Sequence, residues 1–209
     1  RIVKKVLQKV FHRWKTFGEK ILCYNFCVMG LAKLKTKIDI EDYLEGEKLS
    51  EIRHEYIYGE VLAMAGTSDK HNRISMNIGF KLDNHLENSR CEAFIESVKL
   101  KADAQTFYYP DVMVACDEIP ESAYYREKPI LLVEVLSRST QRTDRNEKLT
   151  VYKNLPTLQE YIIVWQDKIH IELHRRQADN SWLTYIFDEN DFQEEIEFQS
   201  VDLKITLDE

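Results

Sequence analysis

The chain has 209 residues, of which 44% are hydrophobic and 11% aromatic, enough to bury one good core, and a formal net charge of -7. Two full domains would be cramped in that length. The acidic balance excludes a protein that coats nucleic acid by bulk charge, so any nucleic-acid contact has to be local.

The first 28 residues hold seven basic side chains (Arg1, Lys4, Lys5, Lys9, Arg13, Lys15, Lys20) and one acid, Glu19, and these six net positive charges leave -13 for the rest. Val3, Val6, Leu7, Val10, Phe11, Trp14 and Phe17 recur at helical spacing, which predicts a basic amphipathic helix suited to a membrane surface or a phosphate backbone. The apolar run that follows is interrupted by Asn25 and Gly30 and closed by Lys33, so neither an export signal nor a membrane span is expected, and the location expected is cytoplasmic. Met29 begins a stretch that reads as an ordinary protein start. Residues 1–36 are therefore set apart as a leader, and the domain is expected over 37–209.

Thr36 ahead of KIDIEDYLEG predicts a capped short helix ending at Gly46, and EYIYGEVLAM predicts a hairpin turning at Tyr58 and Gly59. Over residues 69–88, Ile74, Ile78, Leu82 and Leu86 fall at four-residue steps and mark an amphipathic helix. Strands are expected at EAFIESVKLKA, FYYPDVMVAC and PILLVEVL, the last apolar on both faces as in a central strand. Ser139 or Thr140 caps a further helix running to about Asn154, ahead of Pro156. A strand EYIIVWQ follows, then a hairpin of KIHIELHRR and SWLTYIF turning at Asp179 and Asn180. The order helix, three strands, helix, strand is an α/β plan with a mixed sheet.

The cysteines number four (Cys23, Cys27, Cys91, Cys116), and in a chain whose core needs no staples they read as reduced thiols. Cys23 and Cys27 lack the second ligand pair that zinc requires.

Two acids carry the chemistry. Glu134 interrupts an apolar strand, where an ionised carboxylate costs several kcal/mol unless a cation, a donor or a wet cleft receives it. Asp111 follows Pro110 at the start of another strand, so on neighbouring strands the two carboxylates would converge at one sheet end. Two oxygen ligands plus water suit Mg2+ or Mn2+ and the hydrolysis of a phosphodiester. Each acid also has a structural reading, Asp111 as a Pro-Asp turn and Glu134 as a buried salt bridge, and residue types alone leave both open.

SEIRHEYIYGEVLAMAGTSDKHNRI, YPDVMV, LLVEVLSRST and DRNEKLTVYKNLPTLQEYIIV, taken in order, resemble the Uma2 family (DUF820) of restriction endonuclease-like proteins over roughly Ile38 to the C-terminus. The resemblance implies a PD-(D/E)XK nuclease: a restriction endonuclease-like αβββαβ core with a mixed central sheet, an added N-terminal hairpin and added C-terminal strands. It assigns Asp111 to the PD element and Glu134 to the first place of (D/E)XK. Leu136 stands where that motif has its lysine, and Lys148 on the next helix matches a lysine of the family pattern, its rival reading being an exposed pair with Asp144. Glu55 matches an acid of the opening motif and is the fourth candidate catalytic residue, with Asp111 and Glu134 as the metal ligands.

Other residues are read more simply. Tyr152 is taken as packing, Glu60 as facing solvent and Gly59 as a turn residue. His71 serves equally as a cap, a packing group or a proton carrier and is left outside the site. His170, Glu172 and His174 alternate with apolar neighbours and read as a solvated face rather than a zinc site, while Lys168, Arg145 and the HRR of residues 174–176 are candidates for a DNA-contacting rim. The leading expectation is thus a Mg2+- or Mn2+-dependent endonuclease acting on DNA, with a homodimer as the form that cuts both strands. The missing motif lysine motivates a second, a nuclease-like scaffold without chemistry that binds nucleic acid or a protein, and the basic leader a third, a peripheral membrane protein.

Overall fold

The computed structural model describes residues 37–118, 124–137, 143–191 and 194–207. The leader, Cys23, Cys27, Thr36, Ser139 and Thr140 lie outside them. The chain divides into two compact units at Met64 and Ala65.

In the first unit, helix α1 (Ile40–Glu47) precedes a hairpin of β1 (His54–Ile57) and β2 (Glu60–Ala63). Asp39 occupies the N-cap without a side-chain cap bond. The turn falls where expected, with Tyr58 and Gly59 both at positive φ (49° and 90°), the two-residue geometry that matches strand twist. A buried clasp joins helix to hairpin: Glu47 accepts both the backbone N–H of His54 (2.9 Å) and a contact from its Nδ1 (3.0 Å), and the Tyr43 hydroxyl donates to the His54 carbonyl.

The second unit begins with α2 (Asp69–Leu86), capped by Ser68, whose Oγ accepts from the His71 N–H at 3.2 Å. Then come β3 (Glu92–Ile95), β4 (Lys99–Asp103), β5 (Thr106–Tyr108), β6 (Val112–Ala115), β7 (Tyr125–Arg126) and β8 (Pro129–Leu136). A π-helical segment, Thr143–Lys148, runs into α3 (Leu149–Lys153), and β9 (Glu160–Trp165), β10 (His170–Arg176), β11 (Trp182–Asp188), β12 (Glu195–Phe198) and β13 (Leu203–Thr206) complete the order. Six strands form one sheet in the order β11-β10-β9-β8-β6-β3, with β8 and β9 parallel and the other pairs antiparallel. Strands β5, β4 and β7 pair in that order elsewhere, and β12 pairs β13. Within this plan α2, β3, β6, β8, α3 and β9 realise the αβββαβ order.

Leu82 and Leu86 of α2 pack on Val112, Val114, Leu131, Val133, Val135, Ile162 and Val164, so α2 covers one sheet face. Alternation along β8 and β9 turns Leu132, Glu134, Tyr161 and Ile163 to the other face, where Tyr152 of α3 meets Tyr108 and Tyr161 edge-on at 5.7 and 5.1 Å. A Cβ on Gly79 of α2 would lie 2.4 Å from Ile95 Cδ1, so a side chain at this helix position would have to displace that of Ile95 on β3.

Two expectations are corrected. EAFIESVKLKA and FYYPDVMVAC each read as one strand, but the first breaks into β3 and β4 and the second into β5 and β6, which join different sheets. And Cys91 and Cys116, read as thiols, form a disulfide directly across the β3/β6 pair, one step beyond Glu92 and Ala115.

Candidate functional site

The two strand breaks meet. Glu96 leaves β3 at φ 52°, in a tight three-residue turn in which the Ser97 N–H donates to the Ile95 carbonyl at 2.6 Å, while its own N–H donates to the Asp111 carbonyl at 3.0 Å. Asp111 follows Pro110, which has no N–H to continue a ladder. A left-handed non-glycine residue costs about 1–3 kcal/mol and persists only where its surroundings enforce it. Here that backbone bond ties one break to the other and sets two acids side by side.

His71, in the first turn of α2, completes the group. Its Nε2 lies 3.2 Å from Asp111 Oδ2, and one ligand atom each from His71, Glu96 and Asp111 all fall within 4.8 Å of one another. Burial by itself would lower the His71 pKa; the hydrogen bond and charge of Asp111, with the charge of Glu96, outweigh it and hold the pKa above the usual histidine range. His71 Nδ1 is buried without a hydrogen-bond partner among the described residues. An imidazole nitrogen and two carboxylates make a donor set fit for a divalent cation, and the nitrogen suits Mn2+ better than Mg2+.

Asp111 Oδ2 also accepts the Val135 N–H at 2.6 Å, which fixes the carboxylate against β8. Val112 pairs with Val133 in the antiparallel β6/β8 ladder, so Asp111 stands across from Glu134. Glu134 is not one of the three grouped ligands. Its Oε1 accepts from Lys148 Nζ at 3.0 Å and from the Tyr152 hydroxyl at 2.9 Å, in a cluster where Glu134 is 3% and Lys148 5% exposed. Burial removes the solvent-exposed reading of Lys148, and the buried salt bridge anticipated as the alternative for Glu134 exists, with Lys148 as its partner. Lys148 also lies 5.4 Å from the Tyr108 ring centroid.

Of the four residues singled out from sequence, the fold thus gathers Asp111, Glu134 and Lys148. Glu55 is half-buried on β1 of the first unit, opposite Leu62. Two ligand candidates were missed. His71 carried no signal separating it from a helix cap, and Glu96 is an acid at the end of an apolar run whose break is set by tertiary contacts. Leu136 is buried.

The solvated face assigned to β10 is corrected as well. Glu172 and His174 are buried, Glu172 accepting from Arg145 at 2.8 Å and His174 sharing a 2.8 Å bond with the Thr184 hydroxyl. Burial first, then the charges of Lys153 and Arg145, push the His174 pKa down to about 4. Nor do the arginines of HRR form a rim: Arg175 pairs with Glu160 at 2.7 Å, and Arg176 donates to the carbonyls of Leu158, Lys153 and Leu155.

A mixed α/β sheet with helices on both faces is the architecture of the restriction endonuclease-like fold class. Consistent with it, a crystal structure of a protein from Anabaena variabilis, described as a "putative nuclease belonging to DUF820", superposes with a TM-score of 0.66 at 20% identity, covering 82% of this chain and 96% of that one. The chain belongs to the Uma2 family: the family model, described as "Putative restriction endonuclease", matches residues 40–208. The uncharacterized proteins slr1290 and sll1609 of a Synechocystis strain are 33% and 34% identical to it over 174 and 162 residues, covering 82% and 75% of this chain and 90% of each relative. Among the described residues, no helix is long and apolar enough to cross a membrane.

Proposed function

We propose that this protein is a metal-dependent endonuclease that hydrolyses DNA phosphodiester bonds through a PD-(D/E)XK-type site. The observation that carries the reading is the convergence of His71, Glu96 and Asp111 beside the buried Lys148–Glu134 pair. Asp111 and Glu134 serve as the acidic pair of the motif, and His71 and Glu96 supply further ligands to the cation. A divalent cation bound there would lower the pKa of water and neutralise charge on the phosphoryl oxygens.

The remaining work falls to the chain's own groups. Asp111 is held rigid by the Val135 N–H, and the His71 ring is oriented by Asp111, so neither has to be ordered on binding. Lys148, kept in place by Glu134, offers its Nζ to the charge developing on phosphate and to the attacking water, the part that Leu136 cannot play. Glu55 is assigned a supporting role in orienting water. Cutting both strands asks for two such sites, and a homodimer meets that need.

Purified protein with supercoiled plasmid tests the proposal. Nicking or linearisation is expected with Mn2+, more weakly with Mg2+, and none in EDTA; Asp111→Ala, with unchanged circular dichroism, lowers the rate at least 100-fold. A second reading, a binding scaffold without chemistry, is favoured by the apolar Leu136. DNA retention with no cleavage by either ion would establish that reading in place of the first.

A further inference from the structure

Trp165 closes β9 one strand over and two residues along from Glu134, roughly 8 Å away by strand geometry, on the sheet face that carries Lys148. Unlike the five buried residues before it in β9, Trp165 is only half-buried. Two cations flank its ring: the Arg145 guanidinium at 5.3 Å and Lys168 Nζ at 5.2 Å from the centroid. Arg145 lies three residues before Lys148 on the same helical segment, which directs one side chain to Glu134 and the other to Trp165 and Glu172. On the other side, the neighbouring Gln166 accepts a 2.6 Å bond from Ser68, the cap of the helix that carries His71. The end of β9 is thus tied to both halves of the candidate site while the cations beside Trp165 reach solvent, the Arg145 side chain being 44% exposed.

A half-buried indole with two cations over it and the His170 ring set across it at 4.3 Å, in a chain of net charge -7, is a local departure from the general charge. Its chemistry complements a nucleotide: the ring stacks on any base, and the cations turn to the flanking phosphates. A base inside a duplex is already stacked on its neighbours and offers no free face. We propose that Trp165, with Arg145 and Lys168, is a subsite for an unpaired nucleotide of the strand next to the bond to be cut. The site therefore takes single-stranded or locally opened DNA in preference to intact duplex. Along a stacked strand that rises about 3.4 Å per nucleotide, the separation places the stacked base two or three positions from Glu134.

The inference rests on the nuclease reading, and its test is independent of cleavage. Full-length protein is titrated in EDTA with a fluorescein-labelled oligothymidylate and with a labelled duplex, following anisotropy and Trp quenching. Trp165→Ala is expected to weaken single-strand binding about tenfold or more with duplex binding little changed, and Trp165→Phe to recover most of it. The double variant Arg145→Ala, Lys168→Ala is expected to lower the salt dependence by one to two phosphate contacts, and it reports on the subsite even if Trp165→Ala does not fold. Single-strand affinity unchanged in both variants, equal losses for strand and duplex, or no oligonucleotide binding by the parent overturns the proposal. Cleavage of plasmid with an indifferent Trp165 defeats this inference alone; Trp165-dependent binding without cleavage defeats the nuclease reading alone.

Discussion

Lys148 and Glu134 show how much one residue choice carries. Two charges taken out of water gain little net stability from each other, but removing one of them leaves the other's desolvation uncompensated. Lys148→Met, close in volume, is therefore expected to cost about 3–5 kcal/mol in urea unfolding, whereas Lys148→Met combined with Glu134→Gln recovers a large part of that loss. Equal destabilisation by the single and double variants would show that packing, not charge, dominates. Glu134 was legible as anomalous because an acid in PILLVEVL demands a partner. Lys148 was reached through the family pattern, since its spacing to Asp144 on one helix fits a surface pair equally well.

At the scale of elements, periodicity located α2, the β1/β2 hairpin, the apolar β8 and the β10/β11 turn, because each is specified by residues close in sequence. The strand breaks at Glu96 and Pro110 were not legible. Alternation of apolar and polar residues runs straight through both, and a strand that changes sheets keeps its local pattern while changing partners. The candidate ligand Glu96 was lost with them. The Cys91–Cys116 disulfide belongs at this scale too: it links β3 to β6, the strands that lead to Glu96 and from Asp111, and closes a loop of 25 residues. By loop-closure entropy such a link contributes about 3 kcal/mol. Cys91→Ser, or treatment of the parent with reductant, is expected to lower the melting temperature by roughly 6–12 °C by calorimetry, and an unchanged melting temperature would show the link to be energetically idle.

For the molecule as a whole, His174 ties stability to acidity. It sits among Glu172, Arg145, Lys153 and Thr184 and, with a folded pKa near 4 against 6.5, stays neutral where the unfolded chain's histidine is charged. Between those two values the unfolded state binds more protons, so stability is fully present above about pH 6.5 and drains away as pH falls toward 4. The loss assigned to this one group is about 1–2 kcal/mol after allowance for solvent screening. Chemical denaturation at successive pH values should show the slope, and His174→Gln should flatten it; an identical slope in the variant would assign it to other groups.

Gly79 has no polar atom in its side chain and lies two helical turns from His71, yet it sets a dimension of the site. Because Ile95 occupies the room where its Cβ would be, the distance between the histidine-bearing helix and the strand end carrying Glu96 is gauged by an absent methyl group. Spacing at one end of the helix is thus tied to steric clearance in its middle. Variation at this apolar spot would shift the spacing of His71 and Glu96 without touching either side chain.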